Sequence, residues 1–310
     1  MKRPRRQADL ARFSLLPTEA AAAKSRDLEL RPTLEIVSLL VDEEQQVHAA
    51  AAAVTQQIAR AADLVADALR GGGRLCYVGA GTSGRLGALD AAELPPTFGL
   101  RPEQAFALVA GGPRALSRSV EGAEDHAEMA ERRMQRAGVG SDDAVVAIAA
   151  SGVTPFARAA LRYARERGAR TIFVTCVEDS SHAALCDVVI AAVVGPEVLP
   201  GSTRLKGGSV TKVVLNAIST AAMTKLGKVY RGRMVDVVAS NDKLRARALR
   251  IVMELTDLDE KRARSLLTRA KGRAKLAIAI HLSGSTAPEA ERRLAAARGD
   301  LRRLAEFQNL

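Results

Sequence analysis

The sequence has no tryptophan, and aromatic residues make up only 3% of it. Proteins that hold single-stranded nucleic acid stack bases on such rings, so this class of binder is disfavoured. Cysteine is scarce: Cys76, Cys176 and Cys186 are odd in number and none stands in a CxxC pair. Two of them lie in apolar runs, where a cysteine behaves as a small hydrophobe, and a disulfide framework is excluded. The four histidines, His48, His126, His182 and His281, show neither HExxH nor clustered spacing, so no metal site is expected, and no cofactor either. No apolar run is long enough to span a bilayer, and the basic tip Lys2–Arg6 has no apolar segment of a signal peptide behind it. These absences together predict a cytoplasmic protein without a membrane partner.

What the chain does have is a large core-forming fraction, with 47% hydrophobic and 26% charged residues over 310 positions. The net charge of +11 invites a nucleic-acid reading, but it is spread along the chain and mixed with acids, and an anionic small molecule or simple solubility explains it equally well. Apolar runs at 75–78, 105–110, 144–150, 170–177 and 187–194 alternate with helical patterns. That alternation predicts an α/β fold, a doubly wound parallel sheet with helices on both faces. Right-handed crossovers then bring the C-terminal ends of the strands to one edge. A long Ala-rich helix is expected from about residue 42 to 69, and Pro95-Pro96 should stop the helix that follows the first strand. Residues 1–30 read as a flexible arm, 31–256 as the sheet domain, and 257–310, dense in Lys and Arg, as a module of about three short helices.

Two turns carry small hydroxyls beside glycine, Thr82-Ser83-Gly84 and Ser151-Gly152-Val153-Thr154. Each follows a predicted strand and precedes a helix, where unpaired amides and the helix dipole favour an anion. Helix capping alone would explain one such turn. Two on the same edge favour a phosphorylated ligand, held by Thr82, Ser83, Ser151, Gly152 and Thr154. Gly79-Ala-Gly-Thr-Ser-Gly84 matches GxGxxG, but the acidic residue expected at the end of the next strand is missing, and no Gly-Lys-Ser/Thr completes a nucleotide loop. Among the carboxylates, Glu93 stands out in an apolar helix before the double proline. Glu124 follows Gly122, where a helical pattern should break. A pair of carboxylates beside a bound sugar can move protons if burial raises one pKa towards neutrality.

The stretch Gly79 to Gly87 with Asp90-Ala-Ala-Glu-Leu-Pro-Pro-Thr-Phe98 resembles the signature of the N-acetylmuramic acid 6-phosphate etherases, members of the sugar-isomerase (SIS) superfamily. Pro32–Val37, Glu121–Asp125, Ala150–Pro155, Gly195–Lys206, Lys225–Tyr230 and Met234–Leu244 extend the similarity over nearly the whole chain from about residue 14. The resemblance implies a homodimeric, metal-free lyase of cell-wall sugar recycling. It would cleave the D-lactyl ether of N-acetylmuramic acid 6-phosphate to N-acetylglucosamine 6-phosphate and D-lactate. It further implies that Glu93 is the acid/base carboxylate and Glu124 the second active-site glutamate. Lys206 or Lys243 is expected near the sugar. The chain departs from the family pattern at Ala20–Ala23, where an Arg-Asn pair is usual, and at Leu94, Val153 and Gly207–Ser209. A non-catalytic phosphosugar-sensing regulator of the same fold is the alternative from another functional class.

Overall fold

The computed structural model describes residues 17–178, 182–239 and 241–306. Five strands, β1 (Leu75–Gly79), β2 (Ala105–Val109), β3 (Ala144–Ile148), β4 (Arg170–Thr175) and β5 (Val188–Ala191), form one sheet in the order β2-β1-β3-β4-β5. All its pairings are parallel; Leu75 is in register with both Ala105 and Ala144. Every residue of β1 and β3 is buried, as expected for strands covered on both faces. The strand order reverses between β1 and β3, and the crevice beyond their C-terminal ends is where such sheets bind ligands.

The chain divides into two compact units, residues 1–91 with 105–218, and 92–104 with 219–310. The sheet belongs to the first. There α1 (Thr33–Glu43) and α2 (Gln45–Ala53) lead into α3 (Thr55–Arg70), whose buried Ile58, Ala61, Ala62, Val65 and Leu69 recur at helical spacing and face the sheet. On another part of the sheet, α5 (Ala127–Arg136) and α6 (Pro155–Glu166) pack through Ala130, Met134, Phe156, Ala159 and Ala160 against Cys76, Val78 and Val145. Two long helices, α4 (Gly81–Phe98) and α7 (Lys206–Lys225), contribute residues to both units.

The second unit is helical. After a two-residue hairpin of β6 (Val229–Tyr230) and β7 (Arg233–Met234) come α8 (Asp242–Thr256), α9 (Glu260–Arg269), α10 (Ala274–Ser283), α11 (Ala287–Ala296) and α12 (Leu301–Glu306). Their core joins Ile251, Val252 and Leu255 to Ala263, Leu266, Ala277, Ile280 and Leu301. Side-chain caps start α8 and α9: Asn241 Oδ1 accepts from the Leu244 amide at 2.9 Å, and Asp259 Oδ1 from the Arg262 amide at 2.8 Å. Residue 257 is the left-handed residue between α8 and α9, inside this unit.

The helical details differ from the sequence expectations in three places. The Ala-rich stretch is interrupted at Glu44 and Val54, because the β-branched pair Val54-Thr55 favours a turn and Thr55 Oγ1 donates to the Ala52 carbonyl at 2.8 Å. Pro95 and Pro96 do not stop α4: it runs to the buried Phe98 and ends at Gly99, φ 64°, whose amide donates to Pro95 O at 2.9 Å. The C-terminal stretch after 257 holds four short helices rather than three. Of the expected arm, residues 1–16 lie outside the described residues, and Pro17–Leu30 form three short 3-10 turns.

Candidate functional site

The close approach of β1 and α4 creates the first wall of the site. A methyl group on Gly79 would meet Gly84 N at 2.8 Å, one on Gly84 would meet Gly79 O at 2.6 Å, and one on Gly87 would meet Tyr77 Cβ at 2.7 Å. The three glycines therefore let the helix start directly over the strand end. The first amides of α4, at Gly81, Thr82 and Ser83, precede the first intrahelical bond and point into the crevice at the β1/β3 switch. Behind them Asp90 is buried on α4. It accepts hydrogen bonds from Tyr77 Oη of β1 at 2.6 Å and Asn216 Nδ2 of α7 at 2.7 Å, which fixes the helix rotation. Burial, then the neighbouring Asp90, pushes the Tyr77 phenol well above its ordinary pKa.

The second wall is the turn after β3. Gly152, at φ 77°, reverses the chain, and its amide donates to Ala149 O at 2.9 Å. Thr154 occupies the N-cap position of α6 ahead of Pro155, yet its side chain makes no capping hydrogen bond. Its hydroxyl is thereby left to the crevice, and capping does not explain this threonine.

A third wall is the loop between β2 and α5. It folds back over Gly111, where a methyl group would meet Val120 Cβ at 2.8 Å. Arg85 of α4 holds it from below: Nε donates to Ala115 O at 2.9 Å and Nη2 to Arg118 O at 3.1 Å. Gly122, at φ 73°, breaks the helical pattern, and the 3-10 turn that follows carries Glu124. Ser119 Oγ donates to the Glu121 carboxylate.

Between these walls lies a cavity of about 330 Å³, and Thr18, Glu19, Gly201 and Thr203 close its remaining side. Thr82, Ser83, Ser151, Thr154 and Glu124 all line it. Gly152 is not a lining residue but shapes the turn between two that are. Glu93 does not line this cavity. It is exposed on α4, ten residues beyond Ser83 in the sequence. Lys206 is also elsewhere engaged. Its Nζ is bonded to Glu43 Oε2 at 2.6 Å, both side chains are buried, and Lys24 pairs with the same carboxylate. Lys243 is exposed on α8. Sequence reasoning missed Thr18, Glu19 and Thr203, which reach the cavity only through tertiary folding, and Arg85 and Glu121, which stand two and three residues from Ser83 and Glu124.

A larger cavity, about 510 Å³, lies in the helical unit. Four of its charged groups are paired: Asp236 with Lys275 at 2.6 Å and also with Lys228 at 3.3 Å, and Arg273 with Glu291 at 2.7 Å. Among the described residues no group of three or more His, Cys, Asp or Glu side chains could hold a metal ion, and no helix is long and apolar enough to cross a membrane.

Two family models match the chain. Residues 57–165 fit the glucokinase regulatory protein N-terminal SIS domain, and residues 121–222 fit the SIS domain. The chain is 46% identical over 297 residues to N-acetylmuramic acid 6-phosphate etherase 2 of Vibrio cholerae serotype O1, covering 96% of this chain and 97% of that one. It is likewise 46% identical over 290 residues to the N-acetylmuramic acid 6-phosphate etherase of Mycolicibacterium smegmatis, covering 94% and 97%. The solved structure of a phosphoheptose isomerase from Francisella tularensis superimposes with a TM-score of 0.50 at 17% identity, covering 63% of this chain and 100% of that one. That likeness is one of fold.

Proposed function

The chain belongs to the N-acetylmuramic acid 6-phosphate etherases, and from that premise we propose how its cavity carries out their reaction. The activity is that of a carbon–oxygen lyase acting on N-acetylmuramic acid 6-phosphate. The observation that carries the proposal is the convergence of two glycine-hydroxyl turns and Glu124 on one cavity at the β1/β3 switch. The 6-phosphate sits at the α4 N-terminus, where amides and the hydroxyls of Thr82, Ser83, Ser151 and Thr154 supply neutral donors. Gly152 lets the second turn approach it.

Ring opening exposes an aldehyde at C1 and acidifies the C2 proton. A carboxylate removes that proton, the C3–O bond breaks, and the lactyl oxygen leaves with a proton from an acid. Water then adds at C3 of the unsaturated aldehyde, giving N-acetylglucosamine 6-phosphate and D-lactate. Glu124, in the cavity wall, is one of the two proton-transfer groups, and Glu93 is the other by its place in the family motif. Each such group contributes about 10²–10⁴-fold, and anchoring through the phosphate supplies orientation.

The protein acts as a homodimer. Leu30, Leu34, Val37 and Val41, 78%, 76%, 50% and 62% exposed, form an apolar row along α1 and the turn before it that a second copy would cover. Glu93, exposed on α4, is then available to the cavity of that second copy. A cytoplasmic location suits thiols buried without disulfides at Cys76 and Cys176. Incubation with N-acetylmuramic acid 6-phosphate should release D-lactate in step with N-acetylglucosamine 6-phosphate. A folded protein that binds the sugar phosphate but forms no lactate would instead be the regulator.

A further inference from the structure

One part of the cavity wall is built from a segment far away in sequence, Pro17–Glu19. It is tied down firmly. The Thr18 carbonyl accepts from the Gly201 amide at 2.8 Å, and the Glu19 carboxylate lies over Gly201, where a methyl group would meet Oε2 at 2.8 Å. Gly201 sits at φ 77°, so this glycine answers to both backbone and neighbour. A few residues on, Lys24 joins Lys206 on the buried Glu43, which ties the segment to α1 and the start of α7.

Thr18 and Glu19 differ in what they offer the cavity. Thr18 is only 5% exposed, and its Oγ1 is buried without a hydrogen-bond partner. That oxygen is shielded from the cavity, so Thr18 serves the site through its backbone bond to Gly201. Glu19 lines the same cavity and has no cationic partner among the described residues. A carboxylate there repels phosphate, yet it is a strong acceptor for a sugar hydroxyl.

We propose that Glu19 is a substrate-positioning residue: its carboxylate accepts a hydrogen bond from a hydroxyl of the phosphosugar, while Thr18 holds it in the wall through the Gly201 bond. The proposal rests on the phosphosugar reading of the cavity. It assigns two parts of the wall different tasks, with the phosphate anchored at the turns and an uncharged hydroxyl read at Glu19. An anionic group is turned away from the second part.

Three measurements test it: steady-state D-lactate release, calorimetric binding of N-acetylglucosamine 6-phosphate, and inhibition by inorganic phosphate. Glu19→Ala should raise KM and weaken sugar-phosphate binding about tenfold or more, the worth of a hydrogen bond to a charged group. Inhibition by inorganic phosphate should be unchanged or tighter. Glu19→Gln, which keeps an acceptor oxygen, should fall between. If Glu19→Ala leaves KM and sugar-phosphate binding at wild-type values, the proposal is wrong. It is equally overturned if phosphate inhibition weakens in proportion, since the segment then merely shapes the turns. Wild-type protein that binds the sugar phosphate without releasing lactate would count against the etherase reading alone, and the binding arm would still judge Glu19.

Discussion

Replacing Tyr77 by Phe removes one oxygen from the centre of the protein and should be felt in stability. Tyr77 is fully buried and Asp90 is 4% exposed, and the Oη–Oδ2 separation is 2.6 Å. A hydrogen bond to a charged acceptor contributes about 1.5–3 kcal/mol. Asp90 keeps its second bond, from Asn216 Nδ2 at 2.7 Å, so the carboxylate is not stranded. The expected loss is therefore about 2 kcal/mol, or roughly thirtyfold in the unfolding equilibrium.

Asp90→Ala should cost more, because it strips the acceptor from two donors at once. Urea unfolding followed by circular dichroism measures both variants. A second signature appears at high pH. The folded Tyr77 pKa lies above that of the unfolded chain, so this stabilisation is complete below about pH 10 and is lost as pH rises through the folded value. Tyr77→Phe should remove that alkaline component. Neither side chain lines the cavity, so KM should hold. A Tyr77→Phe protein with the urea midpoint and alkaline profile of wild type would refute the assignment of α4 to this clamp.

Three other outcomes follow from named groups. Burial pushes the Glu43 pKa up, but hydrogen bonds from Lys206 and Lys24 more than reverse this, so its stabilisation is present above about pH 4.5 and is lost as pH falls through the lowered value. Glu43→Gln should destabilise by about 3–5 kcal/mol near neutrality, because Lys206 stays buried, with the deficit shrinking in acid; an unchanged acid-unfolding profile would contradict this. Burial raises the Cys76 thiol and pushes Cys176 up to about 12, so both should resist an aromatic disulfide reagent at pH 8 in the native protein and react on unfolding. Glu124→Gln and Glu93→Gln should each lower kcat by about 10²–10⁴-fold. Mixed after subunit exchange, they should recover roughly a quarter of wild-type activity if each site draws one glutamate from each copy, and none if both come from one.

The sheet was legible because its central strands β1 and β3 are buried on both faces and so read as unbroken apolar runs. The hydroxyl turns were legible because glycine spacing reports the close packing of β1 on α4. The helix ends were harder. Nothing in the alanine run from Gln45 to Ala53 marks a stop, and the turn at Val54 is set by local hydrogen bonding that composition does not display. Pro95-Pro96 misled in the other direction: two prolines in a last turn withdraw only two amides, and the buried Phe98 holds that turn in place. The fourth side of the cavity was out of reach. Thr18-Glu19 and Gly201 are separated by more than half the chain, and no periodicity links them.

The charges in the cavity wall explain why its parts are arranged as they are. Glu19, Glu121 and Glu124 are all acidic, and the one cation among the lining residues, Arg85, has its guanidinium committed to the carbonyls of Ala115 and Arg118. A phosphate dianion entering such a space is repelled everywhere except at the α4 N-terminus and the Ser151–Thr154 turn, where donors are neutral dipoles. Hydroxyls and amides offer the anion donors without placing a mobile cation beside the carboxylates. In the proposed reaction, a phosphate held at the α4 N-terminus would direct the remote carbons to the acidic walls, where a proton is taken from C2 and another given to the departing lactyl oxygen. Replacing Thr82 or Ser83 by lysine should therefore tighten phosphate binding while lowering kcat, and tighter binding with unchanged kcat would show that the cavity's charge pattern has no part in catalysis.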